Sequence, residues 1–288
     1  IVGAEVLCPV VEPETVLELE LRRFGVISAA AGKAGYAYIE KAVSLALAGD
    51  VEAVATAPIH KEALNQAGYA FAGHTEILAA LTNTPSVSMM LVHGRMRVAH
   101  VTTHIALKDV PGRITTARVV KVIELFDQAL RDLGCETPRI AVAGLNPHSG
   151  EGGLFGREEI EIIGPAIGEA VERGYRVDGP VPPDTVFVKM LAGQYDGVVA
   201  MYHDQGHIPV KLMGFAVDAI SGRLQNVEGV NVTLGLPIIR TSVDHGTAFD
   251  IAGTGKANEQ SMVDAILMAA TMARHRSAAG RSAREWHR

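Results

Sequence analysis

The chain has 288 residues, of which 48% are hydrophobic and 5% aromatic, and its formal net charge is −6. This length is enough to bury a large core, either in one α/β unit or in two lobes that share a sheet. The acidic balance argues against nucleic acid as the main partner, because only the end from Arg274 to Arg288 is arginine-rich, and a solvated tail explains that end more simply.

Apolar, strand-like runs alternate with helical patterns along most of the chain, which is typical of βαβ units. The runs Ser86–Val92 and Arg97–Thr102 flank His93-Gly94, so a tight antiparallel hairpin is predicted there. The clearest helix is predicted from about Thr116 to Leu133, where apolar residues recur at spacings of three and four. Gly134 is its stop signal.

Three more helices are predicted, at about Arg157–Arg173, Val186–Leu191 and Gln260–Arg274. The segment Ala216–Gly229 is polar, contains two glycines and has neither a helical nor a strand period. It is predicted to be a surface loop or a hairpin excursion.

Three histidines, His104, His148 and His203, each lie in a short polar stretch that follows a strand-like run. Loops that leave the carboxyl ends of parallel strands share one sheet edge, and three imidazoles there can hold a divalent cation with one position open. A single such histidine is more often a hydrogen-bonded loop residue, so the repetition carries the metal hypothesis. The histidines without that setting are assigned structural roles: His60, His93, His100, His207, His275 and His287.

Two aspartates are candidates for chemistry beside those imidazoles. Asp204 follows His203, and Asp184 lies in a Pro-Pro-Asp-Thr stretch. Carboxylates near a metal-bound ring ligate, orient the ring or move protons. For Asp184 a helix N-cap is an equally good interpretation, because Val186–Leu191 looks helical.

A second group of polar residues suits an anion. Lys211, Asn231 and Arg240 supply two cations and an amide, which together fit a phosphate. Salt bridges to some of the 32 acidic residues are the alternative, and the sequence leaves both open. His74 or Thr75 could cap the helix that they precede, and backbone N–H groups at a helix start also favour an anion.

The run from Asp244 to Asn258 is rich in glycine, which allows a ligand to approach the backbone closely. Within it Asp250 could accept both hydroxyls of an adenosine ribose, and its carboxylate would repel a 2′-phosphate, which would select NAD over NADP. No G-x-G-x-x-G element follows a strand in the usual way, so an ordinary Rossmann site is not predicted.

These motifs together resemble the 4-hydroxythreonine-4-phosphate dehydrogenase family. They occur in family order over nearly the whole chain and are highly specific as a set. The matching pieces are Thr56-Ala57-Pro58 with His60-Lys61, Gly73–Glu76, Thr102–His104, Asn146–Gly153, Tyr202–Gly206 and Val230–Gly255.

The resemblance implies an isocitrate/isopropylmalate-dehydrogenase-like α/β fold with two lobes, and a homodimer whose active sites are shared. It implies a divalent metal on His104, His148 and His203, one of which reaches across the dimer. It further implies the following contacts: His74, Thr75, Lys211, Asn231 and Arg240 with the phosphorylated substrate, and His245, Gly246, Asp250 and Asn258 with NAD.

Two features differ from the family pattern. The family begins with a strand and a Gly-Asp-Pro-Ala-Gly type loop, and this sequence starts after that point, so either the sequence is truncated there or the first βα unit is missing. The longer loop at Ala216–Gly229 resembles a subgroup associated with D-threonate and D-erythronate 4-phosphates. The expected lobes are residues 1–70 with 232–288 on the dinucleotide side, and residues 71–231 on the metal, substrate and dimer side.

The expected activity is NAD-dependent, metal-assisted oxidation and decarboxylation of a 4-phosphorylated four-carbon 3-hydroxy acid. Asp184, Asp204 and Lys211 are the candidates for proton transfer. Zn²⁺ suits three imidazoles best, while Co²⁺, Ni²⁺, Mn²⁺ and Mg²⁺ stay possible. The alternatives are a catalytically inactive phosphoacid-binding relative and, with less support, a metal-dependent phosphatase or aldolase.

A cytoplasmic location is expected from two further observations. Cys8 and Cys135 are far apart and in no metal-type spacing, which is typical of a reduced compartment. No apolar stretch approaches the length of a membrane span, and no charged-then-apolar leader opens the chain, so no membrane partner is expected.

Overall fold

The computed structural model describes residues 10–13, 24–217, 224–227 and 229–280. The helices are α1 (Ala29–Ala48), α2 (Lys61–Gln66), α3 (His74–Leu81), α4 (Thr116–Asp132), α5 (Gly164–Glu172), α6 (Val186–Leu191), α7 (His203–Gly214) and α8 (Gln260–Ala278). The strands are β1 (Ala53–Thr56), β2 (Ser88–His93), β3 (Met96–His100), β4 (Arg139–Ala143), β5 (Arg176–Val181), β6 (Gly197–Ala200), β7 (Phe215–Val217), β8 (Leu224–Val227), β9 (Val230–Leu234) and β10 (Ile239–Val243). None of the described helices is long and apolar enough to span a bilayer.

Eight strands form one mixed sheet in the order β1-β10-β9-β2-β3-β6-β4-β5. The strands β3, β6, β4 and β5 run parallel to one another, as do β1 and β10, whereas β9 is antiparallel to both of its neighbours. The predicted hairpin is confirmed, because β2 and β3 pair antiparallel around Gly94, whose φ of 54° is in the left-handed region.

The two faces of the sheet bury separate apolar cores, because neighbouring residues of a strand point to opposite faces. Helices α4, α5 and α8 cover one face. On the other face α6 and α7 pack over β2, β3, β6 and β4, while α1, α2 and α3 pack beside β1. The second face is therefore covered in two separate parts.

The predicted helices are confirmed, with differences at their ends. Thr115 caps α4 by accepting a hydrogen bond from the backbone N–H of Arg118 (3.2 Å), and Gly134 follows the helix with a φ of 93°. The helix at the chain's end is one turn longer than expected. The segment predicted as Arg157–Arg173 opens with a π-helical turn at Glu159–Ile163 before α5 begins.

The polar segment Ala216–Gly229 contains a hairpin, since β7 pairs antiparallel with β8 to form a separate two-stranded sheet. Residues 218–223 and 228 of that segment lie outside the described residues. The eight-stranded sheet crosses both expected lobes, and the expected boundary at residues 231 and 232 falls within β9. The division into lobes stays a prediction.

Candidate active site

One cavity of about 590 Å³ lies against the face of the sheet where the α6–α7 and α1–α3 layers are separate. Strands β2, β9 and β10 form its floor, and the segments after β1 and before α3 form one wall. All five residues predicted to contact substrate line it, together with one predicted metal ligand and two predicted cofactor contacts: His74, Thr75, Lys211, Asn231, Arg240, His104, His245 and Gly246.

Arg240 is a buried cation in the floor of this cavity, with 3% of its surface exposed. Its guanidinium donates to the hydroxyl of Thr56 from Nε (3.2 Å) and Nη2 (2.7 Å), and to that of Thr233 from Nη1 (2.9 Å). Burial lowers its pKa from 12.5 to about 10, so it stays charged at neutral pH. No carboxylate of the described residues pairs with it, and the salt-bridge alternative therefore does not explain Arg240.

His74 and Thr75 open α3, but neither of them caps it. The N-cap position is Gly73, without any side-chain hydrogen bond, so the capping prediction is wrong. The two residues lie instead in the first turn, where backbone N–H groups lack intrahelical acceptors and favour an anion. Burial, reinforced by the charge of Arg240, lowers the pKa of His74 from 6.5 to about 3, so this ring is neutral at physiological pH.

Lys211 differs from Arg240 because a carboxylate lies near it. Its Nζ is 3.9 Å from Oδ2 of Asp244, and burial raises the pKa of that aspartate. The salt-bridge alternative thus holds for Lys211, although the pair still borders the cavity. Asn231 also borders it, with its amide nitrogen 2.8 Å from the sulfur of Met89.

The three predicted metal ligands follow neighbouring parallel strands. His104 comes after β3, His203 after β6 and His148 after β4, and these strands are adjacent in the order β3-β6-β4. Their carboxyl ends therefore share one edge of the sheet, as the sequence predicts.

Only two of these imidazoles are neighbours within one chain. The ring centroids of His104 and His203 are 5.6 Å apart, and Nδ1 of His203 lies 2.6 Å from a carboxylate oxygen of Asp204, which orients the ring. Burial, then the proximity of His203, lowers the pKa of His104, which favours the neutral form that metals require. In the part of the chain that the structure describes, no three His, Cys, Asp or Glu side chains are grouped to hold a metal.

His148 lies apart because of the conformation of its loop. Five consecutive residues, 148–152, have positive φ angles between 44° and 80°. Three of them carry side chains, for which this region costs roughly 1–2 kcal/mol per residue. The loop holds that shape and leaves His148 exposed at the surface. The assignment of all three histidines to one metal stays a prediction.

The predicted cofactor run borders the cavity through its first residues. His245 and Gly246 line the cavity, and the ring of Phe249 stacks on that of His60 with centroids 4.8 Å apart. Asp250 is exposed, so its carboxylate is accessible to a ribose, and Asn258 accepts a hydrogen bond from the backbone of Gln260 (2.8 Å). The assignment of this run to a dinucleotide stays a prediction.

The remaining candidate, Asp184, is exposed and does not line the cavity. It is not the N-cap of α6 either. That position belongs to Thr185, which makes no capping hydrogen bond. The N-cap interpretation of Asp184 is therefore wrong.

Comparison with known proteins identifies the family. A family model described as Pyridoxal phosphate biosynthetic protein PdxA matches residues 6–269. The chain belongs to the PdxA family. This confirms the resemblance that the motifs predicted, and the solved PdxA-type structures confirm the mixed α/β fold with its large sheet.

Close relatives carry two enzyme names. D-threonate 4-phosphate dehydrogenase from Salmonella typhimurium is 52% identical over 90% of this chain and 76% of its own length. 4-Hydroxythreonine-4-phosphate dehydrogenase from Geobacter metallireducens is 49% identical over 96% of this chain and 78% of its own. A crystal structure of 4-hydroxythreonine-4-phosphate dehydrogenase from Klebsiella pneumoniae has a TM-score of 0.77 and 50% identity, covering 88% of this chain and 74% of that one.

Two histidines of this PdxA-family chain that were assigned structural roles lie against the candidate site. His207 stacks on His203 with ring centroids 3.6 Å apart and donates from Nδ1 to its carbonyl (3.0 Å). His100 lies 4.7 Å from His207, is fully buried and donates from Nδ1 to the carbonyl of Met89 (3.3 Å). The spacing of four between His203 and His207, at the start of a helix, was the available signal.

Acid should destabilise the PdxA-family fold through these buried rings. Burial, then the proximity of His207, lowers the pKa of His100 from 6.5 to about 3, and burial lowers those of His74 and His207 to about 3 and about 4. Between pH 6.5 and the lowered pKa values, these histidines are protonated in the unfolded chain but stay neutral in the folded chain. The stability that the neutral rings provide is therefore complete above that window and is lost as the pH falls through it.

Replacing His100 with leucine tests whether stability is lost as the pH falls because this ring becomes protonated. Between about pH 7 and about pH 4.5 the free energy of unfolding of the wild type should fall by about 2–3 kcal/mol more than that of His100→Leu, measured in urea. Parallel pH profiles for the two proteins would contradict the assignment.

Proposed function

We propose that this chain catalyses the NAD-dependent oxidation and decarboxylation of a four-carbon 3-hydroxy acid that carries a phosphate at C4. The relatives' names contain two such acids, D-threonate 4-phosphate and 4-hydroxythreonine 4-phosphate. Both share the C3 hydroxyl and the terminal phosphate. The observation that carries the proposal is the buried Arg240, a cation without a carboxylate partner among the described residues, in the floor of the cavity.

The phosphate would bind where Arg240, the first turn of α3 and Asn231 converge on the cavity. Arg240 provides a forked, charge-assisted contact, and the helix start provides backbone N–H groups. Neutral His74 donates without placing a second cation beside Arg240. The cavity is lined by residues of both expected lobes, so we propose that the two lobes, 1–70 with 232–288 and 71–231, meet at the substrate.

We propose that a divalent cation binds His104 and His203 of one subunit and His148 of the other, in a homodimer with shared sites. The close spacing of His104 and His203, the lowered pKa of His104 and the exposed third imidazole support this arrangement. A bound cation would polarise the C3 oxygen and offset negative charge during loss of CO₂. Zn²⁺ suits the ligand type best, and Co²⁺, Ni²⁺, Mn²⁺ and Mg²⁺ are the alternatives.

Among the three candidates for proton transfer, Lys211 alone lines the cavity, so we assign it the proton of the C3 hydroxyl. Its ammonium would first pass a proton to Asp244, whose pKa is raised by burial, and the neutral amine would then accept the hydroxyl proton. Asp204 acts on His203 instead, since its carboxylate lies 2.6 Å from that ring and fixes its orientation. Asp184 is exposed outside the cavity, and we assign it no step.

NAD would accept the hydride from C3. We propose that His245 and Gly246 border its reactive end, while Asp250 accepts the ribose hydroxyls and Asn258 contacts the adenine. Because Asp250 is an exposed carboxylate, it would repel the 2′-phosphate of NADP.

The growth of NADH absorbance with both phosphoacids, and with NAD or NADP, tests the proposal. The wild type should turn over at least one phosphoacid with a strong preference for NAD, and Asp250→Ala should lose that preference several-fold or more. Equal use of NADP by the wild type would contradict the role of Asp250. Binding of both phosphoacids without any turnover would favour the inactive relative.

A further inference from the structure

The loop that carries His148 closes around one buried carboxylate, that of Glu159, which is 4% exposed. One of its oxygens accepts a hydrogen bond from the backbone N–H of Asn146 (2.7 Å), and the other accepts one from the Asn146 side chain (3.0 Å). Glu158, which is less buried, accepts a second bond from the same amide nitrogen (2.7 Å). Glu159 thus binds both the backbone and the side chain of Asn146, the residue that begins the loop.

The glycines of this loop are placed where they make room for the carboxylate. A Cβ atom on Gly144 would lie 3.1 Å from one oxygen of Glu159, and a Cβ on Gly150 would lie 2.8 Å from the other. A Cβ on Gly156 would lie 2.3 Å from the side chain of Asn146. Gly144 and Gly150 therefore make room for the carboxylate itself, and Gly156 makes room for the asparagine that it binds.

Burial of this carboxylate is not explained by an ion pair. No cation of the described residues pairs with Glu159, and the hydrogen bonds that its carboxylate accepts from them both come from Asn146. Removing a carboxylate from water without a cation is costly. Glu159 also begins a π-helical turn, an irregularity that is frequent at functional sites. The hydrogen bonds of the carboxylate therefore all serve to fix the conformation of the loop that begins at Asn146.

We propose that Glu159 is a positioning residue, which holds residues 146–153 in the left-handed turn and so presents the imidazole of His148 to the His104–His203 pair of a second subunit. The inference rests on the proposed function only in that His148 serves as the third imidazole. Outer partners that fix the orientation of a ligand commonly change metal affinity by about 10–100-fold when they are removed.

The substitution Glu159→Gln tests the proposal in the full-length dimer, with Glu161→Gln as its matched control. Glu161 is exposed in the same π-helical turn and pairs with the exposed Arg157 instead of Asn146. Titration of metal-free protein with Zn²⁺ and with Co²⁺ should show affinity about 10–100-fold weaker in Glu159→Gln. Hydrogen exchange at the Asn146 amide and across residues 148–153 should be faster. Glu161→Gln should match the wild type in both.

A second variant, Asn146→Ser, keeps Glu159 and removes both bonds from the Asn146 side chain, so it should shift affinity and exchange in the same direction by less. Lower thermal stability of Glu159→Gln with unchanged metal affinity would show a merely structural role and overturn the proposal. If the wild type binds neither cation, the metal assignment fails, and unchanged exchange in Glu159→Gln would then overturn the positioning role separately.

Discussion

Replacing Arg240 with methionine should lower kcat/KM for the phosphorylated substrate by about 10²–10³-fold, because losing one partner of a buried charge pair costs about 2–5 kcal/mol. The same change should leave the thermal midpoint unchanged or raise it. In the free protein Arg240 is a buried cation whose hydrogen-bond partners among the described residues are the hydroxyls of Thr56 and Thr233. An apolar side chain of similar length therefore removes a desolvated charge. Turnover and a thermal melt measure the two effects.

The control for this change is Arg240→Lys, which keeps the charge and loses the forked geometry, and it should have an intermediate effect on kcat/KM. Unphosphorylated D-threonate should be a poor substrate for all three proteins, since it lacks the group that the cation binds. Unfolding of Arg240→Met, or equal oxidation of phosphorylated and unphosphorylated acids by the wild type, would show that Arg240 supports the fold rather than the substrate.

Opposite effects on activity and stability are expected at such a site. A group placed to bind a ligand is left unsatisfied in the free protein, and this costs folding free energy. Lys211 illustrates the contrast, because Asp244 lies 3.9 Å from its ammonium group. Removing Lys211 should consequently leave the carboxylate of Asp244 without that cation, whereas removing Arg240 leaves no unpaired charge in the protein.

Much of the site was predictable because it follows from local patterns. The apolar runs before His104, His148 and His203 became β3, β4 and β6, and the parallel pairing of these strands brings their carboxyl ends to one edge. The hairpin at Gly94 followed from turn chemistry, and the helix that begins at Thr116 followed from the spacing of its apolar residues and from Gly134. Each of these features depends on residues that are close in sequence.

What the sequence did not predict depends on long-range partners. The position of β9 between β10 and β2 is set by pairing across the chain. The left-handed turn at residues 148–152 is a second example, because Glu159, which we propose holds it, lies eleven residues after His148 and accepts hydrogen bonds from Asn146. The role of Gly73 as the N-cap was missed because glycine makes no side-chain bond that a motif could reveal.

The proposed sharing of each metal site between two subunits predicts a second large effect, which mixed dimers measure. Dimers that carry His148→Ala in both subunits, or His203→Ala in both, should lose nearly all activity and metal. A purified heterodimer with one subunit of each kind should regain about half of the wild-type activity and metal. One of its two sites then keeps all three histidines, whereas the other site lacks both His148 and His203. Differently tagged subunits, co-expressed and purified in sequence, provide this heterodimer.

The control is a heterodimer of His104→Ala and His203→Ala subunits. These two rings are 5.6 Å apart in the same chain, so each site of that heterodimer lacks one member of the pair, and neither activity nor metal should return. If all three ligands instead came from one chain, both heterodimers would be inactive. If the pair were divided between subunits, the His104→Ala combination would recover. The structure favours the first of these three outcomes, because His148 is exposed on its left-handed turn while His104 and His203 lie together at the sheet edge.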